Sequence, residues 1–232
     1  MNLFFVENIT NTIKIEGDTF NHLKAHHVNI NDHIFFTDGN GTLAEAVILD
    51  FYKQYIIANI IESKLMNKPL INSTLFAPLL KQSERFDWMV EKAVELGVNQ
   101  IIPIITERTI KSSIKLPRLQ NIIKAACLQS LKCYFPIIYN PIYFDDAIKS
   151  NVNSKRVIAY CGDEIIKTNL YDCINENEDV SIFIGPEGDF TFEEIKKATS
   201  AGIIPVSLGN QRLRSETAAI VSLTIFALKN KL

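Results

Sequence analysis

The stretch Val180-Ser181-Ile182-Phe183-Ile184-Gly185-Pro186-Glu187-Gly188-Asp189-Phe190 starts as a short apolar strand and runs directly into a loop with two glycines. A second strand, predicted over 203–208, runs into a polar loop that begins with Gly209. Glycine directly after a strand lets the backbone approach a ligand closely or adopt a positive φ. Open parallel sheets bind ligands at the carboxyl ends of their strands, so both loops are candidate parts of one site. Two ordinary turns are the alternative interpretation.

Strands and helices alternate along the second part of the chain. The pattern predicts strands over 75–80, 101–106, 157–160, 180–184 and 203–208, and helices over 83–96, 119–131 and 215–228, with another helix opening at Thr191. This order is typical of a mostly parallel α/β sheet. Trp88 is predicted to lie on the apolar face of its helix, in the core. The final helix is apolar on most sides, which predicts burial inside the fold or against a partner.

Residues 1–62 are predicted to form short strands and turns. Two apolar runs, 34–37 and 42–49, flank Asp38-Gly39-Asn40-Gly41, which is a strong hairpin signal, and 55–61 is another β-rich run. A small β-barrel is the simplest architecture for these elements. Residues 64–72 include Pro69 and lack periodicity, so they are the predicted linker. The predicted domains are therefore residues 1–68 and 73–232.

The composition is that of an ordinary globular protein. The chain has 232 residues, of which 47% are hydrophobic and 22% charged, and a net charge of −2. None of its four cysteines forms a C-x-x-C pair, which predicts a reducing, cytoplasmic location. The first residues do not resemble a signal peptide and no stretch reaches about 18 apolar residues, so no membrane association is expected. Residues 1–68 carry five lysines and eight acidic residues, so composition gives no support for an RNA partner.

Several familiar catalytic and nucleotide-binding motifs do not occur in the sequence. There is no G-x-G-x-x-G after an early strand, no G-x-x-x-x-G-K-[ST], no H-E-x-x-H and no G-x-S-x-G. Dinucleotide binding, P-loop phosphoryl transfer, zinc hydrolysis and serine-hydrolase chemistry therefore lose their usual sequence support. His22 and His26 are four residues apart, as in some metal sites, but the segment is predicted to be strand-like and lacks acidic or cysteine companions. We therefore predict no metal site.

Three groups of motifs span nearly the whole chain. They are Gly185-Pro186-Glu187-Gly188, Leu208-Gly209 and Leu213-Arg214-Ser215-Glu216-Thr217-Ala218-Ala219; then Glu95-Leu96-Gly97-Val98, Thr106-Glu107-Arg108 and Gln129-Ser130; and finally Phe4-Phe5-Val6, His22-Leu23 and the Asp38-Gly39 hairpin. In this order and spacing they resemble the RsmE family. The C-terminal group is highly specific as a set.

The resemblance implies an S-adenosylmethionine-dependent methyltransferase that acts on N3 of one uridine in 16S ribosomal RNA of the small (30S) ribosomal subunit. It also implies an α/β fold with a C-terminal SPOUT domain, in which a mostly parallel sheet contains a deep trefoil knot. The N-terminal domain would then be a small PUA-like β-barrel that binds RNA. A homodimer through the knot and the C-terminal helix is implied as well, without any metal.

In this family the knot loops form the cofactor cleft, so the resemblance assigns the two strand-end loops to S-adenosylmethionine. The cofactor-binding candidates are Tyr160, Cys161, Gly162, Ile184, Gly185, Pro186, Gly188, Leu208, Gly209, Leu213 and Ala218. The catalytic candidates are Arg214, Glu216 and Arg108, and the RNA-binding candidates are Lys24, His26 and His27. Methylation requires loss of the N3 proton, which a positioned base or a cation stabilising the imidate would assist. The alternatives are that Glu216 only caps its helix and that Arg108 only pairs with a surface acid.

The chain departs from the family pattern at positions that bear on charge. Leu3 and Lys132 stand where the family usually has Arg, His26-His27 stand near a usual Leu-Arg pair, and Asp189 replaces a usual glycine. Weaker RNA binding at a given salt concentration is expected, because affinity follows the number of phosphates neutralised. Three alternatives stay open: a SPOUT methyltransferase acting on another RNA, a non-catalytic ribosome-assembly or RNA-binding factor, and a small-molecule methyltransferase.

Overall fold

The chain folds into two compact units, in a computed structural model that describes residues 2–150 and 154–231. The first unit contains the residues up to Lys68 together with Lys124–Phe135, and the second contains Pro69–Ile123 and the residues from Pro136 onward. Backbone hydrogen bonds connect Lys124–Phe135 to the rest of the first unit. Phe135 donates to the Gly39 carbonyl at 2.9 Å, and Gly41 donates to the Cys133 carbonyl at 2.9 Å.

The first unit is built on one five-stranded sheet. Its elements are β1 (Leu3–Phe5), β2 (Thr12–Ile15), α1 (Gly17–Ala25), β3 (His33–Thr37), β4 (Thr42–Phe51) and β5 (Ile56–Leu65). The strand order is β1-β3-β4-β5-β2, with β1 parallel to β3 and the other pairs antiparallel. The predicted hairpin is confirmed. The Asp38 carboxylate closes it by accepting hydrogen bonds from the Asn40 and Thr42 amides, at 2.8 and 3.1 Å.

Helix α1 is a correction to the sequence analysis, which predicted only strands and turns for this region. Phe20 and Leu23, three residues apart, are buried on one side of the helix, and two apolar residues are too few to give a clear helical period. His22 is helical and its ring centroid lies 6.3 Å from that of His26, so the strand-like argument against a metal site was wrong. Within residues 2–150 and 154–231, no group of three or more potential metal ligands is present.

The second unit is an α/β assembly around one parallel sheet. Its elements are β6 (Ser73–Pro78), α2 (Ser83–Glu95), β7 (Gln100–Ile105), α3 (Leu116–Gln129, whose last turns belong to the first unit), β8 (Ile137–Ile138), β9 (Ile142–Tyr143), α4 (Phe144–Ala147), β10 (Lys155–Ala159), β11 (Thr168–Asn169), α5 (Leu170–Cys173), β12 (Val180–Phe183), α6 (Phe192–Ser200), β13 (Ile204–Ser207) and α7 (Ser215–Asn230). The strand order is β11-β13-β10-β12-β6-β7-β8, with β9 also paired to β7. Every pair in this sheet is parallel, which confirms the predicted mostly parallel α/β sheet.

Helix α2 buries one apolar stripe, and Trp88 does not belong to it. Phe86, Met89 and Val90 are buried, whereas the Trp88 side chain is 45% exposed. The prediction that Trp88 lies in the core was therefore wrong. Residue 88 is about 200° around the helix from residue 86, at 100° per residue, and so faces away from the stripe.

Helix α7 is largely used inside the second unit. Ala219, Leu223 and Phe226 are buried in the monomer, while Leu228 near its end is 71% exposed. Burial within the fold therefore accounts for much of the apolar character that the sequence analysis noted. In the parts of the chain that the structure describes, no helix combines the length and apolar character needed to cross a membrane.

Two aromatic rings pack at the centre of the sheet. Phe76 of β6 and Phe183 of β12 are opposite each other in the strand register, and their rings stack with centroids 4.0 Å apart and planes 5° from parallel. Both side chains are fully buried. This contact fixes β12 against β6 immediately before the glycine loop.

Phe183→Ala is expected to lower the free energy of unfolding of the second unit by about 3–5 kcal/mol, because the truncation leaves a cavity in a packed core. Urea unfolding followed by circular dichroism measures this loss. Phe192→Ala is the matched control, since the Phe192 side chain is 37% exposed. Equal losses in the two variants would contradict this account of the core.

Candidate active site

The carboxyl ends of five neighbouring strands define one edge of the second unit. Because all strands of the sheet are parallel, the loops that follow them emerge on the same side. The loops are residues 79–82 after β6, 106–115 after β7, 160–167 after β10, 184–191 after β12 and 208–214 after β13. Every predicted cofactor-binding and catalytic residue lies in these loops or in the first turn of α7.

The loop after β12 needs its glycines because neighbouring groups approach too closely for a side chain. A Cβ atom on Gly185 would lie 2.9 Å from Asp189 Oδ1 and 3.1 Å from the Phe190 nitrogen. A Cβ atom on Gly188 would lie 3.1 Å from Arg108 Cδ. The close approach, rather than an unusual φ, is what requires glycine here.

Asp189 joins the loop after β12 to the loop after β10. It has a φ of 61°, a left-handed conformation that Asp tolerates better than most residues. Its carboxylate accepts hydrogen bonds from the Cys161 amide at 2.9 Å and from the Phe190 amide at 2.8 Å. The negative charge of Asp189 is thus directed at backbone donors within the site.

The loop after β10 is held by its own side chains. The Tyr160 hydroxyl donates to Glu164 at 3.0 Å, and burial together with this carboxylate raises the pKa of Tyr160 to about 12. A side chain at Gly162 would collide with the Tyr160 hydroxyl and the Glu164 carboxylate. Burial, and then the neighbouring Asp189, raises the pKa of the Cys161 thiol, so that thiol stays protonated at neutral pH. This loop therefore offers backbone groups rather than a thiolate nucleophile.

The loop after β13 is open at Gly209. This residue has a φ of 118° and nothing lies within 4 Å of where its Cβ would be. Leu208 and Leu213 on either side are half-buried. Arg214 is exposed and forms the N-cap of α7, with its carbonyl accepting the Ala218 amide at 2.8 Å. The loop thus combines open space, two apolar side chains and two exposed cations, Arg212 and Arg214.

Glu216 forms a bidentate ion pair with Arg85, a residue that the sequence analysis did not single out. Arg85 Nε donates to one carboxylate oxygen at 2.9 Å and Nη2 to the other at 2.5 Å. The Glu216 side chain is only 10% exposed. Burial opposes ionisation, but the hydrogen bonds and charge of Arg85, aided by Arg214, lower the pKa of Glu216 below its usual range. This pairing, rather than a simple helix cap, is the main role of the carboxylate in the structure.

Arg108 contacts the glycine loop directly. Its Nη1 donates to the Gly188 carbonyl at 2.5 Å, so its partner is this backbone oxygen and not the surface acid considered above. Glu194 supports the turn by accepting the Glu107 amide at 2.8 Å, and it also forms a capping box with Thr191 at the start of α6. The turn after β7 is therefore fixed against the start of α6.

The predicted RNA-binding residues lie in the first unit. Lys24 is in α1, His26 is its C-cap, and His27 follows with a φ of 53°. All three side chains are exposed.

A cavity of about 760 Å³ lies at the opposite edge of the parallel sheet, among the amino ends of β10, β12 and β13. Lys155, Glu178 and Ile204 are among its lining residues. Its position is opposite to the edge where parallel sheets bind ligands, so we do not assign the site to it.

Comparison with known proteins identifies the class and then the family. The model of the RNA methyltransferase domain matches residues 66–227. Ribosomal RNA small subunit methyltransferase E of Buchnera aphidicola is 30% identical over 87% of this chain and 80% of its own length. The protein of the same name from Mesomycoplasma hyopneumoniae is 30% identical over 95% and 96%. The chain therefore belongs to the ribosomal RNA small subunit methyltransferase E family, as the motifs indicated.

Solved structures agree with this assignment. A probable rRNA methyltransferase from Porphyromonas gingivalis has a TM-score of 0.91 and 33% identity, over 100% of this chain and 99% of its own. A ribosomal RNA small subunit methyltransferase E from Neisseria gonorrhoeae, solved with bound S-adenosylmethionine, has a TM-score of 0.88 and 28% identity, over 99% and 98%.

Glu216→Gln is expected to reduce stability most at neutral pH and least in acid. A carboxyl whose folded-state pKa is lowered stabilises the fold above its unfolded pKa, and this contribution is lost as the pH falls through the folded pKa. Urea unfolding of both proteins at pH 7 and at pH about 3.5 tests this window. Glu193→Gln, at an exposed pair with Lys196, is the control. A wild-type advantage over Glu216→Gln that is unchanged at low pH would contradict the ion-pair account.

Proposed function

We propose that this protein transfers a methyl group from S-adenosylmethionine to N3 of a uridine in 16S rRNA of the small ribosomal subunit. The observation that carries the proposal is the convergence of three glycine-containing loops at one sheet edge, in a chain that belongs to the methyltransferase E family. A relative with the same fold over nearly its whole length binds S-adenosylmethionine.

The residues at this edge fit the cofactor chemically. Gly185 and Gly188 bring backbone close to neighbouring groups, and Gly209 borders open space. Apolar side chains such as Leu208 and Leu213 suit the adenine ring and the thioether, while loop amides and carbonyls suit the polar edges of the ligand. The proposed binding residues are Tyr160, Cys161, Gly162, Ile184, Gly185, Pro186, Gly188, Leu208, Gly209, Leu213 and Ala218. The bound sulfonium would supply an electrophilic methyl group, and the protein would position the reacting groups.

Arg214 is the proposed catalytic cation. A neutral uracil N3 is a poor nucleophile, so its proton must pass to solvent water before or during methyl transfer. The Arg214 side chain is exposed at the start of α7, where its charge would stabilise the developing imidate. Glu216 is ionised and paired with Arg85, which makes it a weak proton acceptor. Arg108 remains exposed beside Gly188 and is proposed to contact an RNA phosphate or the target base.

The domain roles and the assembly are also part of the proposal. Residues 1–68 would form the PUA-like RNA-binding domain, with Lys24, His26 and His27 exposed for RNA, and residues 73–232 the SPOUT domain. The proposed trefoil knot would lie in the segment where the chain passes from β12 on one side of β10 to β13 on the other side. The proposed homodimer would form through α7, where Leu228 is exposed near the end of the helix.

Purified protein is expected to transfer labelled methyl from S-adenosylmethionine to 30S subunits that lack the modification, and nucleoside mass spectrometry should identify 3-methyluridine. Arg214→Ala should lower kcat by about 10²-fold or more, since it removes charge stabilisation from the transition state. Lys229→Ala, at the far end of the same helix, is the control.

The other outcomes separate the alternatives. A different methylated nucleoside would mean another RNA target, and methylation of free nucleosides would favour a small-molecule methyltransferase. Cofactor binding with no transfer to any RNA would favour a non-catalytic assembly factor. Absence of S-adenosylmethionine binding would contradict the proposal itself.

A further inference from the structure

Arg85 connects the glycine loop after β12 to the first turn of α7 although it belongs to neither. It lies in the first turn of α2, directly after the loop that follows β6. Besides its two hydrogen bonds to Glu216, its Nη1 donates to Glu187 Oε1 at 3.2 Å. The same oxygen of Glu187 accepts the Lys81 amide at 3.1 Å. One guanidinium thus joins the carboxyl-end loops of β6 and β12 to the first turn of α7.

The geometry of this cluster suits positioning better than proton transfer. A planar guanidinium that meets a carboxylate through two parallel hydrogen bonds fixes both distance and orientation. The exposed fractions of the side chains are 23% for Arg85, 37% for Glu187 and 10% for Glu216. The Glu216 end of the cluster is therefore well shielded from water, so its hydrogen bonds are less easily exchanged for solvent.

Two site elements depend directly on this anchor. Glu216 follows Arg214 by two residues, so fixing the Glu216 carboxylate fixes the start of α7 and the point from which the Arg214 side chain extends. Glu187 lies between Pro186 and Gly188, so its contact with Arg85 restrains the glycine loop that Arg108 also contacts. Arg85 therefore restrains both the proposed cofactor loop and the helix start that carries Arg214.

We propose that Arg85 is a positioning residue of the methyltransferase site, which holds the glycine loop and the start of α7 in register through Glu187 and Glu216. The inference rests on the proposed function and adds to it a residue outside the family motifs. It also assigns Glu216 to the same positioning unit instead of to proton abstraction.

A second ion pair on α2 provides a matched comparison. Asp87 Oδ2 accepts a hydrogen bond from Arg118 Nε at 2.8 Å and lies 2.7 Å from Nη2, so this arginine–carboxylate pair, two residues along the helix from Arg85, uses one carboxylate oxygen where Glu216 uses two. Neither Asp87 nor Arg118 lies in a strand-end loop. Removal of this pair therefore reports what an arginine–carboxylate contact on α2 contributes to folding alone.

The test compares Arg85→Met, Arg85→Lys and Arg118→Met in the full-length protein. Thermal unfolding reports stability, calorimetry reports the Kd for S-adenosylmethionine, and labelled methyl transfer to 30S subunits reports kcat. Arg85→Met should lower kcat by about 10²-fold, the effect expected when reacting groups are misplaced by about 1 Å, while Arg118→Met keeps the wild-type kcat. Arg85→Lys should recover part of the loss, because it restores the charge but not the fork.

A double variant distinguishes a shared role from two separate ones. Adding Glu216→Gln to Arg85→Met should cause little further loss of kcat, because residues that act as one unit are not additive. A further loss equal to that of Glu216→Gln alone would overturn the shared role. If Arg85→Met does not fold, Arg85→Lys decides, and an unchanged kcat in that variant overturns the proposal.

Failure of the inference and failure of the proposed function give different results. Wild-type turnover with equal kcat in Arg85→Met and Arg118→Met overturns the positioning role alone. If the wild type binds S-adenosylmethionine without methylating RNA, the proposed function fails, and an unchanged Kd in Arg85→Met overturns the positioning role as well. If the wild type does not bind S-adenosylmethionine, both are overturned.

Discussion

Parallel pairing of β10 with β12 on one side and β13 on the other is the constraint on which the candidate site depends. It brings the loops after these three strands to one edge, although they are separated by long stretches of sequence. The stacked rings of Phe76 and Phe183 then fix β12 against β6, which places Arg85 beside the glycine loop. The site is therefore a consequence of strand order, and no single motif contains it.

The acidic residues at this edge are largely engaged by donors within the protein. Asp189 accepts two backbone amides, Glu194 caps α6 and supports the turn before Arg108, and Glu187 and Glu216 share Arg85. The arginines Arg108, Arg212 and Arg214, by contrast, are exposed. A chain with a net charge of −2 can in this way present positive charge where an RNA backbone would approach. The local arrangement of charge is more informative here than the composition, which gave no support for an RNA partner.

Features that depend on residues close together in the sequence are predicted correctly. The hairpin around Asp38-Gly39-Asn40-Gly41, the alternation that gives the parallel sheet and the helix that opens at Thr191 are all confirmed. Helix α1 was missed because its apolar face consists of little more than Phe20 and Leu23. Trp88 is exposed because it lies about 200° around α2 from Phe86, away from the buried stripe, and its apolar character alone does not reveal this. Arg85 could not be found from sequence, since its two partners lie 102 and 131 residues away and only the folded sheet brings them together.

Hydrogen–deuterium exchange with and without S-adenosylmethionine tests the central claim most directly, namely that the loops after β10, β12 and β13 form one cofactor site. Bound ligand slows exchange of the amides that it orders. The account predicts that added protection is confined to residues 160–162, 184–190 and 208–213 and the start of α7. Protection at the cavity lined by Lys155, Glu178 and Ile204 instead, or at only one of the three loops, would contradict it.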